Sequence, residues 1–166
     1  MAELRTWLLK GFFHEFGAET GLEKTFPGGF LMIRFRNSPA MVAYLPPDEG
    51  FECLVGGDDD ADIDYMMDPT LEPLHCKIAW HTGFSGWTVE DLGTSFGTSV
   101  QNERIDASRP VLLTDKDVIR PGGGLLQMQF YAGATLFARM SQAGVTRTVA
   151  RLKDRKPKDG EPKDGE

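Results

Sequence analysis

From Gly28 to Tyr131 the chain spells short apolar runs broken by clusters of Gly, Pro, Asn and Asp, and this spacing limits its fold more than any other feature. Runs at 30–36 (FLMIRFR), 41–45 (MVAYL), 51–55 (FECLV), 62–67, 75–80 (HCKIAW) and 86–91 read as strands. So do 98–101, 104–105, 111–113, 117–120 and 124–131 (GLLQMQFY). Between them stand N-S-P, P-P-D-E-G, T-G-F-S-G and P-G-G-G, residues that set turns by tolerating or fixing unusual backbone angles. Eleven short strands at this pace predict an all-β chain folded as a β-sandwich.

The flanks follow a helical period. Leu4, Leu8, Phe12 and Phe16 recur on one stripe, widened by Trp7, Leu9 and Phe13, which predicts an amphipathic helix and linker over residues 1–27. That stripe has three readings: docking on a partner protein, packing on the chain's own sandwich, or lying on a membrane surface. Arg5 and Lys10 favour the last, and Glu3 and Glu15 oppose it. Helical spacing returns over 132–153 through Leu136, Phe137, Met140, Val145, Val149 and Leu152, with Gly144 as a weak point. Residues 154–166 repeat P-K-D-G-E and have no apolar residue with which to fold, so order there depends on a partner. The organisation expected is a 28–131 domain between a docking helix and a basic helical extension, each short.

Charge separates the same zones. From Met41 to Ala132 there are 5 Lys and Arg against 16 Asp and Glu, whereas Gly133 to Lys158 carries 7 against 1. An acidic body argues against specific nucleic-acid binding, which needs a basic groove on the folded part. No run of about 20 apolar residues could span a bilayer, and no secretory leader precedes the first helix, so a cytoplasmic home is expected. Cys53 and Cys76, without C-x-x-C spacing, read as buried thiols.

Catalytic and metal motifs do not assemble. Asp58, Asp60, Asp62 and Asp64 alternate, but no Gly and terminal Glu follow at EF-hand spacing, so the stretch reads as a solvated acidic loop. A metal-dependent activity there is the enzyme-class alternative. Gly56-Gly57-Asp58-Asp59-Asp60 echoes the start of a diguanylate cyclase hairpin without its fifth residue or α/β context. His14, His75 and His81 lack ligand spacing, and P-G-G-G at 121–124 lacks the Lys of a phosphate-binding loop. With no nucleophile, base and oxyanion donor together, the chain reads as non-enzymatic, with no metal and no cofactor.

Gly56-Gly57, D-I-D-Y, E-P-L-H (Glu72 to His75), D-L-G-T-S-F-G-T (Asp91 to Thr98) and Q-N-E-R-I follow one another at intervals that resemble the forkhead-associated (FHA) domain over about residues 28–131. The resemblance implies an eleven-stranded sandwich whose loops at one end recognise phosphothreonine peptides. It also implies that His75 supports those loops from behind, with Gly56, Gly93, Gly97 and Thr98 shaping them.

The same resemblance exposes what is missing. The family meets phosphate with an arginine fork and a serine hydroxyl and fixes the peptide with an asparagine amide, because three acceptor oxygens need charged and hydroxyl donors. Gly57, Glu72 and Phe96 stand at those places, and Ser95 is the remaining hydroxyl on the rim. The expectation is a degenerate phosphothreonine site on a scaffold or accessory subunit that binds protein partners in a larger complex. A phosphopeptide adaptor using Ser95 and backbone amides is the alternative. Phe96 is either a cap folded onto the sandwich or an apolar anchor for a partner.

Overall fold

The computed structural model describes residues 4–19 and 21–140. Twelve strands form among these residues: β1 (Arg5–Leu8), β2 (Gly29–Phe35), β3 (Met41–Leu45), β4 (Glu52–Gly56), β5 (Ile63–Asp64), β6 (Cys76–His81), β7 (Gly86–Asp91), β8 (Thr98–Val100), β9 (Glu103–Arg104), β10 (Val111–Leu112), β11 (Val118–Pro121) and β12 (Leu126–Ala132). One sheet runs β1-β3-β2-β12-β11-β8-β9 and the other β10-β7-β6-β4-β5, so the fold is the expected β-sandwich. Each of the eleven runs read from the sequence overlaps a strand, 104–105 at Arg104 alone, and β1 is the addition.

Alternation explains how the layers meet. Leu31, Ile33 and Phe35 on β2 point inward with Ala43 and Leu45 on β3, meeting Cys53, Val55, Cys76, Ile78 and Val89 of the opposite sheet. The odd set of β2 thus fills the sandwich, and the even set, Phe30 and Met32, faces outward. The outer face of the five-stranded sheet is polar there, where Lys77 reaches Glu52 at 3.4 Å and Glu90 at 3.5 Å. Cys53 and Cys76 are free and buried, and burial pushes the Cys76 thiol up to about 12, so both stay protonated as expected.

The N-terminal segment requires a correction. Residues 5–8 do not begin a helix: they pair with β3 from Arg5↔Tyr44 to Leu8↔Met41, and the helix α1 covers only Leu9–Phe16. Trp7, Phe12 and Phe16 are not a free docking stripe. With Leu22 of the short helix α2 (Leu22–Thr25), and with Phe26, Phe30, Val42, Tyr44, Tyr131, Leu136 and Met140, they build a second core on the outer face of the seven-stranded sheet. Rings meet edge to face there: Trp7 lies 5.0 Å from Phe12 and 5.7 Å from Phe26, and Phe26 lies 5.1 Å from Tyr44. Leu4 packs on the inner core, and Leu8 alone of the stripe is largely exposed. The physical reason is that β2 and β3 are apolar on both faces, and a strand so written needs cover on both sides.

Residues 133–140 are helical and close the same face. Asp115 holds their start, accepting from the Ala132 N–H and the Thr135 hydroxyl at 2.8 Å each. The Arg139 guanidinium donates to the Tyr131 hydroxyl. The rest of the 132–153 extension and the 154–166 tail lie outside the described residues.

Candidate recognition rim

At the end of the sandwich where β4 stops and β6 starts, three loops converge on His75, which is fully buried. The Glu72 N–H lies 3.2 Å from His75 Nδ1, which must therefore be the accepting nitrogen. The ring proton then sits on Nε2, which donates to the Gly97 carbonyl at 2.7 Å. The Gly122 N–H also donates to that carbonyl, at 2.9 Å. One imidazole thus ties the 72–75 segment, the 94–97 loop and the β11–β12 turn together.

Asp91 is the second organiser. Its Oδ2 accepts from the Gly93 and Thr94 N–H groups at 3.1 and 3.0 Å, and its Oδ1 accepts from the Thr94 and Thr98 hydroxyls at 2.7 Å each. Burial pushes this carboxyl up, but the Thr94 and Thr98 hydroxyls, the Thr94 N–H and His75 together hold it below the usual carboxylate range. The loop that follows is fixed before any ligand arrives. Asp91 and Thr94 were missed in the residue-by-residue reading, although an Asp two residues before a Gly in D-L-G-T is a recognisable self-bonding turn.

Glycines shape the approach of the loops. A Cβ on Gly56 would collide with the Pro73 carbonyl, and Gly97, at φ +73°, would drive one into the Arg104 guanidinium, 2.5 Å from its Nε. Gly93 sits at φ +81° in the same loop. Gly57 is less free than an exposed rim position would be, since a Cβ there would come within 2.9 Å of the Leu71 carbonyl oxygen.

The rim residues meet in one place. Glu72 receives the Gly57 N–H on its carbonyl at 2.9 Å, and its Oε2 accepts the Ser95 N–H at 2.8 Å. Phe96, next along, is 58% exposed, so the ring does not cap the sandwich. Arg104, a rim residue that the sequence reading passed over, puts a guanidinium nitrogen 3.4 Å from the Ser95 carbonyl. The signal for it was the R-I pair itself, whose arginine falls on the edge strand β9 beside this loop.

Residues 53–122 match the model of the FHA domain family. Residues 53–122 are an FHA domain. Solved structures agree on the fold: the FHA domain of CT664 from Chlamydia trachomatis superposes with a TM-score of 0.53 at 23% identity, covering 62% of this chain and 95% of that one. The yeast Pml1 splicing factor, described with its integration into the RES complex, gives 0.55 at 23%, covering 63% and 78%. The N-terminal FHA domain of Rad53p from S. cerevisiae, solved with a phosphothreonine peptide, gives 0.54 at 14%, covering 67% and 98%. The comparison with curated proteins gave no match. An FHA domain is a non-enzymatic protein–protein interaction module. Among the described residues no helix is long and apolar enough to cross a membrane.

Asp58, Asp59 and Asp60 bring carboxylate oxygens within 4.8 Å of one another on the surface. A shared hydrogen bond holds Asp58 below the carboxylate range and pushes Asp59 above it. Asp62 and Asp64, the other members of the acidic alternation, are not part of that group, and Asp62 instead accepts the Leu54 N–H at 2.8 Å. Asp62 thus ties the far end of the loop to β4.

Proposed function

We propose that this FHA domain is an interaction module that has lost phosphothreonine recognition and serves as a scaffold or accessory subunit of a cytoplasmic assembly. One observation carries the reading: the Glu72 carboxylate already occupies the Ser95 N–H, at 2.8 Å, on the loop where an anionic ligand would have to sit. A phosphate arriving there competes with a tethered carboxylate for the donor and is repelled by it. Gly57 offers no side chain in place of the family's arginine, and Leu71 crowds the position. Losing two charge-assisted hydrogen bonds at about 1.5–3 kcal/mol each weakens phosphopeptide affinity more than about a hundredfold.

Arg104 is what favours the second reading, a phosphopeptide adaptor with a non-standard site, since its guanidinium stands beside Ser95. The test is titration with a degenerate phosphothreonine peptide library near physiological salt. No saturable binding is expected from the unmodified protein, and partial gain is expected from Glu72→Ser with Phe96→Asn. Micromolar, phosphate-dependent binding by the unmodified protein would replace the first reading with the second.

A further inference from the structure

Among the exposed apolar side chains on the segments that Glu72 joins are Phe96, beside Ser95, and Leu74, 40% exposed, between Glu72 and His75. Phe96 projects from a backbone held on both sides, by Glu72 at Ser95 and by the His75 and Gly122 bonds at Gly97. A side chain presented this way loses little conformational freedom when a partner covers it, which makes it a favourable contact centre. Phe84, equally exposed at 60%, differs: it lies beyond the far end of β6 on a turn and leans on His81, with ring centres 4.4 Å apart.

The charge on the loop adjoining Glu72 selects the partner. Asp58, Asp59 and Asp60 follow Gly57, whose N–H is bonded to the Glu72 carbonyl, so a carboxylate group adjoins the same junction. Asp59 is pushed upward by the Asp58 hydrogen bond and by repulsion from Asp58 and Asp60, the behaviour of crowded negative charge that an incoming cation relieves. Arg104 is the cation that touches the loop, and it faces the Ser95 carbonyl.

We infer that this rim, on the reading above, docks an unphosphorylated protein segment in which one large apolar side chain is flanked by Lys or Arg, the apolar group on Phe96 and Leu74 and the cations on Asp58 to Asp60. Phosphorylation beside that apolar residue would weaken the complex, the reverse of phosphate-dependent recognition.

The probe is an unphosphorylated peptide library with Leu, Phe or Trp fixed at the centre and neighbours drawn from all residues, selected on the full chain. Selection should enrich Lys and Arg next to the apolar centre. Binding of a selected peptide should fall at least tenfold in Phe96→Ala and in the combined Asp58→Asn, Asp59→Asn, Asp60→Asn variant, and should weaken between about 0.05 and 0.3 M salt. Phe84→Ala should bind as the unmodified protein does, and a phosphoserine beside the apolar centre should cost a further tenfold. Unchanged melting of each variant keeps the comparison on binding. No basic enrichment, or equal losses in Phe84→Ala and Phe96→Ala, overturns the inference and leaves the loss of phosphothreonine recognition standing. Enrichment of phosphorylated sequences in a parallel phosphothreonine library removes that underlying reading as well.

Discussion

Replacing His75 by Ala removes the residue through which three loops are joined. The change orphans the Glu72 N–H and deletes the donor to the Gly97 carbonyl, which keeps only the Gly122 N–H. A buried group left without its partner costs about 1–3 kcal/mol. The void left by a fully buried imidazole adds about 1 kcal/mol or more, because packed loops relax only partly. The sum is about 2–4 kcal/mol. For a chain of 166 residues each kcal/mol lowers the melting temperature by about 2–4 °C, so a drop near 9 °C is expected by calorimetry or circular dichroism. Hydrogen exchange adds a local readout, since the Glu72 and Gly122 amides should lose protection before those of β2 and β12 do. If His75→Ala melts within about 2 °C of the unmodified protein and keeps that protection, the ring is not the joint described here.

Two further outcomes follow from the buried carboxylate and the second core. Asp91 has a depressed pKa in the folded state, so its contribution is present above the ordinary carboxylate value of about 3.9 and is lost as pH falls through the lower folded value. Asp91→Asn should therefore melt lower near neutral pH and show a shallower loss of stability on acidification, and an unchanged pH profile would count against it. Phe12, fully buried among Trp7, Phe16, Phe26 and Phe30, should cost about 3–5 kcal/mol on replacement by Ala, and deleting residues 1–20 should destabilise the whole sandwich. A truncated chain as stable as the full one would return the stripe to the role of a separate docking helix.

How much was legible in the sequence can be judged from particular residues. Strand positions were, because turn residues act locally: N-S-P, P-P-D-E-G and P-G-G-G interrupt pairing wherever they fall. The departures at Gly57, Glu72 and Phe96 were also legible, since each is a change of chemical type in a recognisable spacing. What Glu72 does was not, because its bond to Ser95 joins residues 23 apart and exists only once the loops meet. That Phe96 does not cap the sandwich was likewise shown only by its exposure, which no local pattern encodes.

The N-terminus shows the limit most plainly. Leu4, Leu8, Phe12 and Phe16 satisfy a helical period, yet residues 5–8 form a strand because the edge of β3 offers them backbone partners. Local periodicity records which side chains need burial, and both the stripe and the two-faced FLMIRF run stated that need correctly. Which surface meets it, and in which backbone conformation, is decided by long-range pairing: the apolar outer face of the seven-stranded sheet was available, and the phenylalanines covered it.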